Sequence, residues 1–488
     1  MKKYNVILFT DIVRMSIHAP VHMPAIGAYK LANTLRQNGY SCLVLNHISE
    51  FTVDEICKLL DTTISDETYL IGFSTTFYND SLWGKSDINL FPQGTEFDDQ
   101  ILPYIKQLNN KVKVTVGGPI IQADIKSKYV DFLVLGYAEA NIVNLVDHIK
   151  DGVTLNNSYK NANNNKIVIN NVLADGYEFT KDTMTWLPED VINHTRLPIE
   201  IGRGCIFSCA FCSYPMNGKK KLDFVKEAKI LGDELLYNYN NYGITQYSIV
   251  DDTFNDSVDK LIQLREVIIA LPFKPKFWCY ARLDLICTHP ETIHILYDIG
   301  IREIFFGIET LDRKSGLAIG KGYNREKQIA MISQIKESYP DIHLHGNFII
   351  GTPYESEESI RRTLDALSSN EIKLDSVAVN PLSIYKMETP TIFTSSITKD
   401  YKKFGYREMT NKTHHKLVLW ENDELNFFTA WELCKQFSQD YKTKGPKFGG
   451  YGVNSHEPSH HETFLTEYKK RLFDLIKDNG STDRTLGR

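Results

Sequence analysis

Short apolar runs rich in β-branched residues alternate with helical patterns along most of this chain. In its first part the apolar runs cover residues 4–9, 41–45, 69–74, 111–116 and 131–135. Helical patterns stand between them, for example at residues 25–39 and 98–110. This alternation predicts βαβ units with a parallel sheet, and near-continuous apolar strands indicate a sheet buried on both faces. We therefore predict an α/β fold that begins with a doubly wound parallel sheet over residues 1–150.

The alternation stops after this domain and then resumes. Residues 151–197 are polar and rich in Asn, which predicts a linker with room for a small hairpin. Six further strand patterns follow, at residues 197–202, 244–250, 276–281, 302–308, 342–350 and 375–380. Six βα units in succession predict a partial or full (β/α) barrel over residues 198–395. In the mixed region 396–488 we expect helices near 422–437 and 462–477, which would close the barrel mouth or bind substrate.

The composition excludes several classes of protein. No apolar run approaches the roughly 20 residues that a membrane span needs, so no membrane partner is expected. A net charge of −6 over 488 residues argues against a dedicated nucleic-acid surface. Eight cysteines are spread unevenly along the chain, which is unlike a disulfide framework. We expect a cytoplasmic protein whose thiols are reduced and available for metal binding.

Three cysteines stand close together in the segment "GRGCIFSCAFCSYP", residues 202–215. Cys205, Cys209 and Cys212 follow the first predicted barrel strand and have the spacing of a metal-binding loop. A structural zinc site normally takes four protein ligands in two close pairs, and no fourth cysteine stands nearby. An iron–sulfur cluster also normally takes four thiolates, so three would leave one iron open for another molecule. From the spacing alone, an open cluster and a zinc site are both possible.

Polar residues and glycines follow the later barrel strands, at the end where (β/α) barrels place their sites. In chain order these residues are Asp251 with Asp252, Arg282, Glu309, and Gly351 with Pro353. A carboxylate can accept hydrogen bonds from hydroxyl groups, and glycine lets a ligand approach the backbone closely. An Asp pair at a strand end can also be only a helix cap with a solvated neighbour.

Taken in this order, the segments "GRGCIFSCAFC", "SIVDDTF", "CYARLDL", "FFGIETL" and "NFIIGTPYES" resemble those of the radical S-adenosylmethionine (SAM) enzymes. The resemblance implies that the three cysteines ligate a 4Fe–4S cluster whose open iron binds SAM. Phe211 would be the aromatic residue that the family carries between the last two cysteines. The segment after the sixth strand, "NPLSIYKMETP", lacks the Pro-Gly-Thr that is usual in the family.

The same resemblance implies contacts with SAM beyond the cluster. Glu309 would contact the ribose hydroxyls or the methionine end, and Gly351 with Pro353 would run along the adenine. Asp251 and Arg282 complete the set of residues that we predict to bind this cofactor. Because SAM is zwitterionic and carries a sulfonium, a cationic and an anionic partner suit it.

Glycines and hydroxyl residues follow the strands of the first domain. Ser74 and Thr75 follow the third strand, and Gly117 with Gly118 follows the fourth, while Gly136 follows the fifth. With the segments "MPAIGAYKLANTLRQNG", "IGFSTT", "VGGP" and "LGYAE", this domain resembles that of the cobalamin-dependent radical SAM enzymes. The resemblance implies that these residues bind cobalamin, although a glycine can also simply end its strand.

The loop after the first strand departs from some cobalamin domains. Those domains supply a cobalt-binding His from an Asp-x-His-x-x-Gly loop, and here Val13 and Ser16 stand at the His and Gly positions. We therefore predict cobalamin without a His ligand from this loop. The polar and aromatic segment 76–97 could line the cavity or form a surface loop.

The remaining cysteines argue against two subgroups of the radical SAM enzymes, the methylthiotransferases and the maturases with auxiliary clusters. Methylthiotransferases hold a second cluster on three N-terminal cysteines, and this chain has only Cys42 and Cys57 in that region. Maturases with auxiliary clusters need several cysteines after the barrel, where only Cys434 is present. Cys279 and Cys287 are interpreted as small buried residues. A group of histidines in a polar segment is interpreted as a solvated loop rather than a metal site: His456, His460 and His461.

The resemblance implies an enzyme with three cofactors: a 4Fe–4S cluster, SAM and cobalamin. The leading hypothesis is methylation of an unactivated carbon of a small metabolite or peptide, by a 5′-deoxyadenosyl radical and methylcobalamin. The alternatives are a cyclisation, ring rearrangement or oxidation with the same cofactors, and a binding module with a structural metal. An external electron donor of flavodoxin or ferredoxin type is the expected protein partner.

Overall fold

The computed structural model describes residues 3–11, 23–74, 100–118, 127–162, 165–171, 177–192, 194–214, 224–322, 324–386, 394–414, 417–444 and 458–477. The predictions for Val13, Ser16, Thr75, the segment 76–97 and His456 fall outside these residues.

Among the described residues the first sheet has seven strands, and all but one of them are parallel. The strands are β1 (Val6–Phe9), β2 (Cys42–Leu45), β3 (Leu70–Ser74), β4 (Lys113–Gly118), β5 (Phe132–Gly136), β6 (Ser158–Lys160) and β7 (Ile167–Asn171). Their order across the sheet is β2-β1-β3-β4-β5-β7-β6, and only β6 runs antiparallel. The first five strands follow the flavodoxin-like order, in which the chain reverses direction across the sheet between β1 and β3. The predicted doubly wound sheet is confirmed.

Helices cover both faces of this sheet. They are α1 (Ile26–Gln37), α2 (Val53–Thr63), α3 (Leu102–Leu108) and α4 (Ile142–Asp151). Successive residues of a strand point to opposite faces. Val6 and Leu8 therefore pack into one buried cluster with α1 and α4, while Ile7 and Phe9 pack into another with α2 and α3.

The hairpin that the sequence allowed within residues 151–197 consists of β6 and β7. β7 pairs in parallel with β5, so this hairpin extends the first sheet.

The second sheet has six strands, all parallel. They are β8 (Arg196–Ile199), β9 (Gln246–Ile249), β10 (Lys276–Ala281), β11 (Ile301–Glu309), β12 (His343–Ile350) and β13 (Ser376–Pro381). They stand side by side in chain order, with β8 and β13 at the two edges. Within the part of the chain that the structure describes, the barrel is therefore open and partial, and each strand falls where the sequence predicted it.

Helices cover the outer face of the second sheet. They are α5 (Ala228–Tyr242), α6 (Val258–Ile269), α7 (Leu283–Thr288), α8 (Thr292–Ile299), α9 (Arg313–Ile319), α10 (Arg325–Ser338) and α11 (Glu357–Ser368). Side-chain oxygens of Ser257, Asp312, Asn324 and Ser356 accept hydrogen bonds from the first turns of α6, α9, α10 and α11. Such N-caps satisfy backbone N–H groups that have no partner within the helix.

The C-terminal region packs against both sheets. Its helices are α12 (Ser396–Lys399), α13 (Phe427–Lys444) and α14 (Pro458–Lys477). The strands β14 (Arg407–Glu408) and β15 (Trp420–Glu421) form a two-stranded sheet. α13 packs against β13 and α11, whereas α14 returns to α2 of the first domain. There the ammonium of Lys469 lies 2.8 Å from Glu55 Oε2, and Tyr468 is buried. None of the described helices is both long enough and apolar enough to cross a membrane.

Candidate functional site

The three predicted cluster cysteines lie in the loop that follows β8. Cys205 is buried, and its Sγ lies 3.5 Å from the backbone N–H of Phe207 and 3.3 Å from Thr253 Oγ1. The amide of Cys212 donates to the carbonyl of Cys209 at 3.0 Å, which turns the chain between the last two cysteines. All eight cysteines are free thiols. The loop therefore presents three thiols, one of which already lies beside a backbone donor.

Arg282 ties this loop to the end of β10. Its Nη1 donates to Cys209 Sγ at 3.2 Å, and its Nη2 donates to the carbonyl of Gly320 at 3.2 Å. Asp284 accepts two further bonds from the guanidinium, at 3.1 and 2.7 Å. The guanidinium carbon lies 3.9 Å from the centre of the Phe207 ring. Arg282 is thus a cation held against the cysteine loop, and its contact with SAM stays a prediction.

The donors around the three thiols suit a bound cluster. Among the residues that the structure describes, no group of three His, Cys, Asp or Glu side chains is arranged to hold a single metal ion. Three thiols from one loop, with N–H donors aimed at two of the sulfurs, match the environment of an iron–sulfur cluster, whose potential such bonds tune. The donor set of this loop therefore fits the cluster.

Asp251 binds the backbone at the start of the cysteine loop. Its Oδ1 accepts from the amide of Ile201 at 2.8 Å, and the side chain is buried. Burial raises the pKa of Asp251 to about 7, against the opposing effects of Lys260 and the backbone amides of Gly202 and Ile201. These contacts give Asp251 a supporting role, and its predicted contact with SAM stays a prediction. Phe211 is half-buried against the main core.

Glu309 ends β11 in a backbone conformation that few residues adopt. Its φ is 68°, in the left-handed region, and the side chain is buried. Asn347 Nδ2 donates to Oε2 at 3.2 Å, and the Lys321 ammonium lies 3.9 Å from Oε1. Burial raises the pKa of Glu309, while Lys321, Asn347 and Arg282 oppose that rise. A buried carboxylate with a strained backbone and a neighbouring ammonium is the kind of outlier that clusters at functional sites.

Gly351 and Pro353 lie in the segment after β12, which the C-terminal region holds in place. Gly351 has φ 86°, and a Cβ there would lie 2.3 Å from Trp420 Cη2. Tyr406 donates to its carbonyl at 2.7 Å, and its amide donates to Glu355 Oε2 at 3.3 Å. The close approach that glycine permits at this point is thus made by Trp420, and contact of the segment with adenine stays a prediction.

The predicted cobalamin-binding residues share one edge of the first sheet. Ser74 at the end of β3 pairs with Gly117, which in turn pairs with Val134. Gly118 and Gly136 end β4 and β5, with φ of 132° and 85°. In a sheet with this strand order, ligands bind outside the carboxyl ends of the strands. The geometry brings these four residues together at the expected edge.

The two predicted cofactor regions face each other. Tyr137 and Glu139 directly follow β5, and both contact Arg203, which stands two residues before Cys205. The carboxyl edge of the first sheet therefore lies against the loop at the mouth of the second sheet. Sequence periodicity could not show this contact, since it joins segments far apart in the chain.

Four residues that the sequence patterns did not indicate form the inner wall of the half-barrel: Trp278, Tyr280, Phe305 and His345. The Tyr280 and Phe305 rings are 4.9 Å apart, and Phe305 stacks on His345 at 4.2 Å. The three aromatic residues belong to neither buried core cluster, and Tyr280 and Phe305 are only partly buried. Burial and the neighbouring His343 lower the pKa of His345 to about 3, so the imidazole is neutral. The alternation of β10 and β11 was the available signal, because these residues occupy the positions that face away from the helices.

The sequence of this chain is similar to a family model and to curated proteins over part of its length. Residues 199–367 match the model of the Radical SAM superfamily. An uncharacterized methyltransferase of Pyrococcus horikoshii is 27% identical over 368 residues, which cover 70% of this chain and 72% of that protein. A tRNA-2-methylthio-N(6)-dimethylallyladenosine synthase of Methylacidiphilum infernorum is 23% identical over 49% of this chain and 54% of its own length.

Two solved structures share the fold over nearly the whole chain. One is the radical S-adenosylmethionine methyltransferase TsrM of Kitasatospora setae, with cobalamin and a 4Fe–4S cluster bound. It has a TM-score of 0.66 and 13% identity, over 97% of this chain and 99% of that one. The other is the cobalamin-dependent S-adenosylmethionine radical enzyme OxsB, with aqua-cobalamin and S-adenosylmethionine bound. It has a TM-score of 0.66 and 15% identity, over 97% of this chain and 72% of that one.

Proposed function

We propose that this chain, which carries a radical SAM domain and has the fold of cobalamin-dependent radical SAM enzymes, methylates an unactivated carbon of a small metabolite or peptide. The observation that carries the proposal is the contact between two edges. The glycine-rich edge of the first sheet meets the cysteine loop of the second through Arg203 and Glu139. An enzyme that combines two cofactors at one carbon needs such proximity.

The residues of the second sheet suit the cluster and SAM. Cys205, Cys209 and Cys212 would ligate the cluster, while Arg282 and Glu309 would hold the charged ends of SAM. When bound, the cluster supplies an electron that cleaves SAM, and cobalamin supplies the methyl group. Arg282 already donates to Cys209 Sγ, which keeps positive charge beside the thiolates. Burial of Arg282 and Glu309 keeps water away from the two groups that would bind the zwitterion.

The first domain would hold cobalamin at its β1–β3–β4 edge. Ser74 offers a hydroxyl there, and Thr75 follows it in the sequence. Gly117 and Gly118 of β4, with Gly136 of the neighbouring β5, would leave space for a large ligand beside the backbone. TsrM and OxsB, whose fold this chain shares, are described with cobalamin bound. The electron that starts the reaction would come from an external donor of flavodoxin or ferredoxin type. The eight free thiols suit the reducing conditions of a cytoplasm.

Methylthio transfer is the activity of some relatives, but the cysteine content opposes it here. The residues before the barrel include only Cys42, in β2, and Cys57, in α2. A second cluster on three N-terminal cysteines is therefore not available. A cyclisation, ring rearrangement or oxidation that uses the same cofactors is the other candidate. The shared fold with OxsB supports the use of cobalamin and SAM by this chain, but it does not by itself support methyl transfer.

The products of SAM test the proposal. Protein reconstituted anaerobically with iron, sulfide and cobalamin is incubated with SAM, reductant and candidate substrates, and the products are identified by mass spectrometry. Methylation consumes two SAM molecules for each turnover and yields S-adenosylhomocysteine and 5′-deoxyadenosine in equal amounts. With a true substrate, deoxyadenosine without S-adenosylhomocysteine rejects methylation and favours the cyclisation or oxidation.

A further inference from the structure

Arg203 stands two residues before Cys205 and donates hydrogen bonds to two carboxylates. Its Nε and Nη2 donate to the two carboxylate oxygens of Glu200, at 2.7 and 2.9 Å. Nη2 also donates to Glu139 Oε1 at 2.7 Å. The side chain of Arg203 is 4% exposed and that of Glu139 is 6% exposed. A planar guanidinium with several donors can bind two carboxylates at once, which an ammonium cannot do in the same geometry.

The two carboxylates belong to different domains. Glu200 directly follows β8 and starts the cysteine loop, whereas Glu139 follows β5 in the "LGYAE" segment of the first domain. Tyr137 of the same segment lies under the guanidinium, with its ring centre 4.4 Å from the guanidinium carbon. Arg203 therefore holds the loop of the predicted cluster against the loop of the predicted cobalamin site.

A second cation extends this junction into α1 and into the segment between the sheets. The Lys30 ammonium lies 2.5 Å from Glu200 Oε2 and 2.6 Å from Asp182 Oδ2, and the Lys30 side chain is 3% exposed. Burial alone would raise the pKa of Glu200, but Arg203 and Lys30 hold it below its ordinary value. Glu200 is thus an ionised carboxylate shared by one cation from each domain.

We propose that Arg203 is a positioning residue that sets the separation between the cluster and cobalamin sites. This inference rests on the function proposed above. The radical source and the methyl donor must both reach one substrate carbon, and a displacement of about 1 Å can cost roughly a hundredfold in rate. A buried salt bridge with two domains as partners fixes such a separation better than apolar packing, because its directions and distances are specific.

The test compares two buried glutamates, one paired with a cation of the other domain and one paired with a cation of its own domain. Glu139→Gln keeps the shape of the side chain and removes the first-domain charge from Arg203. Glu234→Gln is the matched control, because the Glu234 carboxylate is bonded at 2.5 Å to Lys226, both side chains are 2% exposed, and both lie in the barrel domain. Both variants lose one buried ion pair, but only Glu139→Gln acts between the domains.

The first measurement is spectroscopic and does not depend on turnover. In protein loaded with both cofactors, Co(II) cobalamin speeds the electron-spin relaxation of the reduced cluster by an amount that depends on their separation. We expect Glu139→Gln to change and broaden this enhancement, and Glu234→Gln to leave it as in the wild type. In turnover, Glu139→Gln should form about tenfold more deoxyadenosine for each methyl group transferred. Arg203→Lys keeps the positive charge but loses the several donors of the planar guanidinium. Its ratio of deoxyadenosine to methyl groups transferred should lie between those of the wild type and Glu139→Gln.

Equal spectra and equal product ratios in Glu139→Gln and Glu234→Gln would overturn the proposal. Calorimetry of the cofactor-free protein gives a separate result. Heat should unfold the wild type and Glu234→Gln in one transition, and Glu139→Gln in two. A single transition in all three proteins would also overturn the coupling role. If the wild type binds neither iron nor cobalamin, the proposed function fails, and the calorimetry still reports whether Arg203 couples the domains.

Discussion

A cysteine in the loop after β8 and a cysteine inside a strand should respond differently to the same substitution. Cys209→Ala removes a thiol that accepts from Arg282, whereas Cys279→Ala removes a fully buried thiol of β10. We expect Cys209→Ala to abolish iron binding and SAM cleavage, since two thiolates do not hold a cluster of about four irons. Cys279→Ala should keep its iron and lose about 1 kcal/mol of stability to a small cavity. Iron analysis after anaerobic reconstitution decides this, and a full complement of iron in Cys209→Ala would contradict the assignment.

The carboxylate of Glu309 should matter for SAM and not for the cluster. Glu309→Gln keeps the bulk and the partner Asn347 but removes the charge that faces Lys321. We expect the Kd for SAM to rise about tenfold, because a charged hydrogen bond contributes roughly 1.5–3 kcal/mol. The iron content should not change. Equilibrium dialysis with SAM measures the effect, and unaltered binding would remove Glu309 from the site.

At the scale of elements, the turn after β12 depends on the C-terminal region. Gly351 and Gly405 both have φ 86°, but a Cβ at Gly351 would lie 2.3 Å from Trp420, whereas at Gly405 the nearest atom is 3.9 Å away. Gly405→Ala should therefore cost only the strain of the left-handed backbone, about 1–2 kcal/mol. Gly351→Ala adds the displacement of a buried indole, a further 1–3 kcal/mol or so. Urea unfolding compares the two, and equal losses would show that Trp420 gives way without cost.

The same turn contains a buried carboxylate that should make stability depend on pH. Glu355 accepts from Thr310, Thr352 and the amide of Gly351, yet burial raises its pKa to about 7. An acid with a raised pKa in the folded state binds a proton that the unfolded state releases, so stability falls as pH rises from about 4.5 to 7. By pH 8 the loss reaches roughly 3 kcal/mol, at 1.36 kcal/mol per pKa unit. Glu355→Gln should flatten this part of the curve, which urea unfolding at pH 5 to 8 measures. Parallel curves for the two proteins would show that Glu355 does not titrate there.

At the scale of the whole molecule, the first domain should bind cobalamin without a histidine on cobalt. Val13 stands where the cobalt-binding His would be. His47, which follows β2, is fully buried and packs against Tyr468 of α14 and against His194. We expect the protein to retain cobalamin through gel filtration. Its Co(II) form should show no nitrogen superhyperfine splitting in electron paramagnetic resonance. A clear splitting would place a nitrogen ligand on cobalt.

The sequence determined the elements of this fold, because strand and helix periodicity are local properties. The five apolar runs of the first domain and the six of the second all became strands within a few residues of the prediction. Ser74, Arg282 and Glu309 stand at or next to strand ends for the same reason, since strand ends can be located from the pattern that stops there. Cys205, Cys209 and Cys212 needed only their spacing and their place after β8 to be identified as candidate ligands.

Only the tertiary structure decided which of these ends meet. Arg203 bonds Glu139, Gly351 packs against Trp420, and α14 returns to α2, and each contact joins segments far apart in the chain. No pattern within a window of the sequence records such a contact, because it depends on how complete elements pack and not on local periodicity. For that reason two features became visible only in the folded chain. They are the buried ion pair that supports the cysteine loop and the backbone strain at Glu309.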